Sequence, residues 1–193
     1  LNLDGATLVN ADFSGVTFQN VKLEAVNIDG CDFRGLRSIG KLNLGGIQAG
    51  KAAFAGAKLV DSDWTGSILR TCDFAGADLS GARLAEIDWE DCDLRDVDLR
   101  GATFHMGSTR CGMVGSPYPS HGTRTGFYTD EYDEQYFQNP ETIRKASLVG
   151  ADLRGACLLG VDFYLVDLRG AKYDRIIHNH LVSTGAILDA DAH

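Results

Sequence analysis

Between Glu86 and Asp98 the chain places seven acids, Glu86, Asp88, Glu90, Asp91, Asp93, Asp96 and Asp98, against one base, Arg95. A run of this density would offer a negative surface to a basic partner; its plainer reading is a solvated face. A second concentration of chemistry lies between Phe104 and Ala146, where Tyr118, His121, Arg124, Tyr128, Tyr132 and Tyr136 combine rigid aromatic surface with basic groups, the residue types that anchor a binding partner. His105, Cys111 and His121 there are close enough in sequence to approach one another as metal ligands, but a lone loop histidine is more often a hydrogen-bonding surface residue. Arg110, Arg124, Ser116 and Tyr128 either line a small anion site or satisfy loop carbonyls. His178 and His180 stand two apart on an expected helix and so face different directions, a poor metal pair. There is no glycine-rich phosphate loop, no nucleophile elbow and no paired-cysteine zinc spacing. We therefore expect no catalytic residues, no metal and no cofactor.

The elements that carry these groups follow a period of five. From Cys72 to Phe104 every fifth residue is large and apolar: Phe74, Leu79, Leu84, Trp89, Leu94, Leu99 and Phe104. Two places earlier stand the mostly small Cys72, Ala77, Ala82, Ile87, Cys92, Val97 and Ala102, and the residue between is usually acidic. Neither a helix at 3.6 nor a strand at 2 has this period, so a stacked repeat is required. The same spacing runs from Leu3 to Phe33, from Leu44 to Phe104 and from Leu148 to Tyr173. One extra residue enters between Phe33 and Leu44, in Gly35–Gly40, which reads as a bulged corner. At Ile47 and Ala49 the large and small residues exchange places, which conserves core volume.

The pattern A-[D/N]-[L/F]-x-x resembles the pentapeptide-repeat family. The resemblance implies an all-β, right-handed quadrilateral parallel β-helix, with four units per coil and the central and minus-two side chains inside. Residues about twenty apart should then stack: Phe13, Phe33, Phe54 and Phe74 in one column, with Ala11, Cys31, Ala52, Cys72 and Cys92 beside it. Stacked thiols in a dry core read as packing, not as a metal ladder. Cys157 takes an outward position and is the expected reactive thiol, with Cys111 a second.

We read residues 1–193 as a single domain: repeats at 1–104 and 146–173, a partly helical insertion at 105–145, and a cap with a short helix at 174–193. An insertion of some forty residues is far longer than an ordinary connection and implies a function or a structure of its own. Leu1 is not a methionine and already lies within the repeat, so we expect residues upstream.

A net charge of −9 argues against direct nucleic-acid binding. No apolar run is long enough for a membrane span, and five cysteines without framework spacing point to a reducing, cytoplasmic setting. The leading expectation is a non-enzymatic protein-interaction scaffold that binds through the insertion and the adjacent face. The resemblance supplies an alternative, an acidic rod that mimics DNA and binds a type II topoisomerase. The partner's identity and the state of assembly, a dimer among the options, stay open.

Overall fold

In many units one side chain closes the turn of the five-residue period. At thirteen described positions an Asp or Asn stands just before the large inward residue, and its Oδ1 accepts the N–H of the residue just after it, as at Asp73–Ala75 (2.9 Å) and Asp98–Arg100 (3.1 Å). This local bond bends the chain out of the extended state. The next residue then adopts positive φ, from +56° at Asp96 to +75° at Gly155, and the chain rounds a corner. Where Thr17, Arg37, Gln48 or Ile68 replaces the Asx, the backbone stays extended and forms β1 (Thr17–Lys22), β2 (Arg37–Asn43), β3 (Gln48–Gly50) and β4 (Ile68–Arg70). Asp88, drawn to Arg70, opens β5 (Asp88–Glu90).

Four such turns close one coil in this computed structural model, which describes residues 1–104 and 145–190. The coils stack by parallel pairing into an all-β solenoid with four sides. The first side runs Asn2, Lys22, Asn43, Asp63, Arg83, Thr103; the second Thr7, Asn27, Gln48, Ile68, Asp88, Ser147, Asp167, Ile187. The third runs Asp12, Asp32, Ala53, Asp73, Asp93, Asp152, Lys172, and the fourth Thr17, Arg37, Lys58, Asp78, Asp98, Cys157.

Inside, the expected aromatic column is present. Phe13–Phe33, Phe33–Phe54 and Phe54–Phe74 stack with ring centroids 5.1, 4.8 and 4.6 Å apart and planes within 8°. Phe13 itself is only half-buried. Ile47 and Ala49 are both buried, in keeping with their exchange of roles. Trp64 donates its indole N–H to Ser62 Oγ at 2.7 Å, whereas the buried Trp89 Nε1 has no partner among the described residues.

The extra residue is a bulged corner at the end of the Gly35–Gly40 stretch, within β2: Gln19 pairs with Ile39 and Val21 with Leu42, so Gly40, at φ +74°, and Lys41 together face Asn20. Leu36, inside the stretch read as irregular, is a regular inward residue at 1% exposure. Asn20 Oδ1 accepts the N–H of Lys41 at 3.1 Å, which supplies the surplus amide with a partner.

Corners interlock between coils. A Cβ on Gly81 would collide with Asp61 Oδ1 in the coil before it, and Gly30, Gly40, Gly150 and Gly155 stand in the same relation to Asn10, Asn20, Asp91 and Asp96. At the far end a 3₁₀ turn, Arg175–Ile177, leads into helix α1, His178–Thr184, which ends on Gly185 at φ +81°. Leu181 is fully buried and His180 lies edge-on to Phe163 at 6.2 Å, so α1 covers the last coil before Ile187 adds a final bridge to Asp167.

Candidate functional site

The seven acids of residues 86–98 fall on one level and wrap three adjacent sides. Asp88 and Glu90 lie in β5 on the second side, Asp93 on the third and Asp98 on the fourth. Glu86, Asp91 and Asp96 occupy the corners, at φ +56°, +53° and +56°. Much of this charge is matched. Arg70, one coil below, pairs with Asp88 at 2.9 Å and with Glu90. Arg95 and Arg100 clasp Asp93 and Asp98 through two nitrogens each, at 2.5–3.1 Å. Asp91 and Asp96 turn their Oδ1 atoms onto Gly150 and Gly155 of the next coil. The run therefore carries structural work, and its free negative surface is smaller than its sequence implies.

Sequence reasoning missed Arg70 and Arg100 as members of this level. The signal for Arg100 was present: aspartate, large residue, arginine recurs at 32–34, 93–95, 98–100, 152–154 and 167–169, and each forms the same clasp. In each case the clasp is the main cause of the lowered pKa of Asp32, Asp93, Asp98 and Asp167, whose carboxylates accept hydrogen bonds from the arginine two places on. Asp152, bonded by Arg154, is lowered to about 2. A folded-state pKa below the unfolded one contributes stability that is complete above the unfolded value and lost as the pH falls through the folded one. The melting temperature should thus be level from pH 6 to about 4 and fall between about 4 and 2. A melting temperature that rises on acidification through that window would show that like-charge repulsion outweighs the clasps.

Of the thiols, Cys31, Cys72 and Cys92 are each 1% exposed, on the third side's inner column, and Cys157 is exposed. Cys72 N–H donates to Cys92 Sγ at 3.4 Å, and Cys92 Sγ donates to Leu69 O at 3.4 Å. The contact with Cys72 and exclusion from water hold the Cys92 thiol well above its ordinary pKa, and burial raises Cys31. With a neutral alkylating agent the native protein should lose Cys157 while Cys31, Cys72 and Cys92 persist until unfolding. Rapid modification of Cys72 in the native state would place it on the wrong side of the wall.

His178 and His180 do take separate partners: His178 Nδ1 meets Tyr173 Oη at 3.2 Å and His180 Nε2 meets Val161 O at 3.0 Å. No group of three or more metal-ligating side chains occurs among the described residues, and no helix among them is long and apolar enough to cross a membrane. Tyr118, His121, Arg124, Tyr128, Tyr132 and Tyr136, with the candidates His105, Arg110, Cys111 and Ser116, lie outside the described residues. Phe104, at the insertion's near end, is core: it sits between Trp89 (6.4 Å) and Phe163 (5.4 Å).

The insertion's two ends are well placed. Thr103 pairs with Arg83 on the first side, and Ser147 pairs with Asp88 on the second. The chain thus leaves one side after Phe104 and re-enters on the next with the pairing intact. A separation of 59 residues between Asp88 and Ser147 replaces the usual twenty.

A family model described as pentapeptide repeats matches the chain in eight copies, over residues 2–35, 51–84, 72–106 and 143–172. No curated protein matches the chain in sequence. Among solved structures the chain is similar to HetL, a pentapeptide repeat protein involved in heterocyst differentiation regulation from the cyanobacterium Nostoc sp. strain PCC 7120. The identity is 21% over 89% of this chain and 71% of that one, with a TM-score of 0.31. It is similar to QnrB1, a plasmid-mediated fluoroquinolone resistance protein, at 16% identity over 94% and 88% of the two chains, TM-score 0.33. A pentapeptide repeat protein from the Arabidopsis thaliana thylakoid lumen gives 24% identity over 80% and 83%, TM-score 0.29.

Proposed function

Since the chain belongs to the pentapeptide-repeat family, we propose that it is a non-enzymatic, cytoplasmic protein-interaction scaffold whose recognition surface is the insertion with the solenoid wall beside it. The observation that carries this reading is the re-entry of the chain at Ser147 in register with Asp88. The stack continues as though the intervening residues were absent, so they answer to a need other than the core's. Loops raised on a rigid frame are where such folds place recognition. Tyr118, Tyr128, Tyr132 and Tyr136 supply rigid anchors, and His121 and Arg124 the polar contacts around them.

The acidic level supports the second reading, a DNA mimic for a type II topoisomerase, less well. Among the described residues ten aspartates cap their own turns, and Arg70, Arg95 and Arg100 sit within the level itself.

Replacing residues 107–144 with a short linker tests the proposal. Circular dichroism and melting should change little, because the coil contacts remain, while partner capture should be lost. A deletion that folds and still captures every partner moves recognition to the bare walls. Inhibition of DNA supercoiling by gyrase on adding the intact protein would favour the topoisomerase reading.

A further inference from the structure

The bulge in β2 does more than absorb a residue. On the fourth side the corner N–H of each coil is donated to the coil above: Asp61 to Ser80 O (2.9 Å), Gly81 to Arg100 O (2.9 Å) and Gly101 to Leu159 O (3.1 Å). The equivalent bond from Gly40 to Val60 O is not formed, and Val60 O accepts no other hydrogen bond among the described residues. Ser38 takes the inward position that Phe18, Leu59, Leu79 and Leu99 hold in neighbouring coils, so the wall also lacks a large side chain at that point. An open groove of about 920 Å³ lies here on the surface across several successive coils, lined by Asn20, Ser38, Lys41, Val60, Asp61 and Arg83 among others. Val60 is 41% exposed there and Ile39, beside it on β2, 56%. Asp63 is held by Arg83 at 3.4 Å and by Thr65, and Asp61 lies against Gly81, whereas the exposed Lys41 ammonium has no ion pair among the described residues.

We propose that this groove binds a short extended peptide segment carrying an acidic side chain, independently of the insertion. The segment's backbone N–H occupies Val60 O, the acceptor left open by the missing ladder bond, as an added strand does at any open edge. An apolar residue rests on Ile39 and Val60, and the neighbouring carboxylate meets Lys41. The bulge thus leaves, in a wall paired on either side at Arg37–Lys58 and Asn43–Asp63, one acceptor and one cation without partners among the described residues, which set the peptide's contact point and its charge.

The test uses the full chain, ¹⁵N-labelled, and a capped valine–aspartate–valine tripeptide, with the valine–lysine–valine peptide as control. The aspartate peptide should shift the amide resonances of Ile39, Gly40, Lys41 and Val60, and the lysine peptide should bind more weakly. Lys41→Gln should weaken the aspartate peptide by about threefold, the scale of an exposed ion pair, and should remove the preference over lysine. Deletion of Lys41 restores a twenty-residue coil, closes the ladder and should abolish binding while leaving melting unchanged or raised. The proposal is overturned if neither peptide moves those resonances at millimolar concentration, if the lysine peptide binds as well, or if a folded Lys41 deletion binds unchanged.

Discussion

Phe54→Ala should lose about 3–5 kcal/mol of stability, the cost of truncating a fully buried aromatic ring. Phe54 is 1% exposed, stacked between Phe33 at 4.8 Å and Phe74 at 4.6 Å, and met edge-on by Trp64 at 5.3 Å. Truncation removes ring contacts in both directions along the column, and the backbone pairing above and below prevents collapse into the space. In a stack stabilised by nearest neighbours, a void in a middle coil weakens both of its interfaces. Phe13→Ala is the internal comparison. Its ring has one stacked neighbour in the column and is half-buried, so it should cost clearly less. Chemical denaturation of the two variants reads the difference. A loss below about 1 kcal/mol at Phe54, or equal losses at both sites, would deny the column its role.

Gly81→Ala should cost roughly 2–4 kcal/mol, and Gly76→Ala only about 1–2 kcal/mol. Both glycines have left-handed φ, +69° and +64°, so both alanines carry the same backbone strain. The difference is what lies beneath: nothing within 4 Å of a Cβ at Gly76, but Asp61 Oδ1 at Gly81. Asp61→Ala should therefore rescue Gly81→Ala and leave Gly76→Ala unaffected, with a coupling of about 1–3 kcal/mol in the double-mutant cycle. Equal costs at the two glycines, or no rescue, would remove the interlock as a determinant of register.

The period of five settled the inward and outward assignment of nearly every repeat residue, because the units share a corner at positive φ and a large side chain inside, with an Asx-capped turn in many of them. Stacking at twenty residues then followed from closure of the coil, which is why the column of Phe13, Phe33, Phe54 and Phe74 and the burial of Cys31, Cys72 and Cys92 could be read from spacing alone. The structure decided what depends on contacts between coils. The bulged corner expected in Gly35–Gly40 was narrowed to Gly40–Lys41, because only the partner strand shows which residue lacks a mate. The acidic level lost much of its free charge because Arg70, eighteen residues before Asp88 in sequence, stands directly below it in space. Corner glycines such as Gly81 and Gly150 were legible as turn residues, but not as seats for Asp61 and Asp91 of the preceding coil. A local repeat is written in consecutive residues, whereas neutralisation, interlock and an open backbone acceptor arise between residues about twenty to sixty apart, and only the stacked coil brings those together.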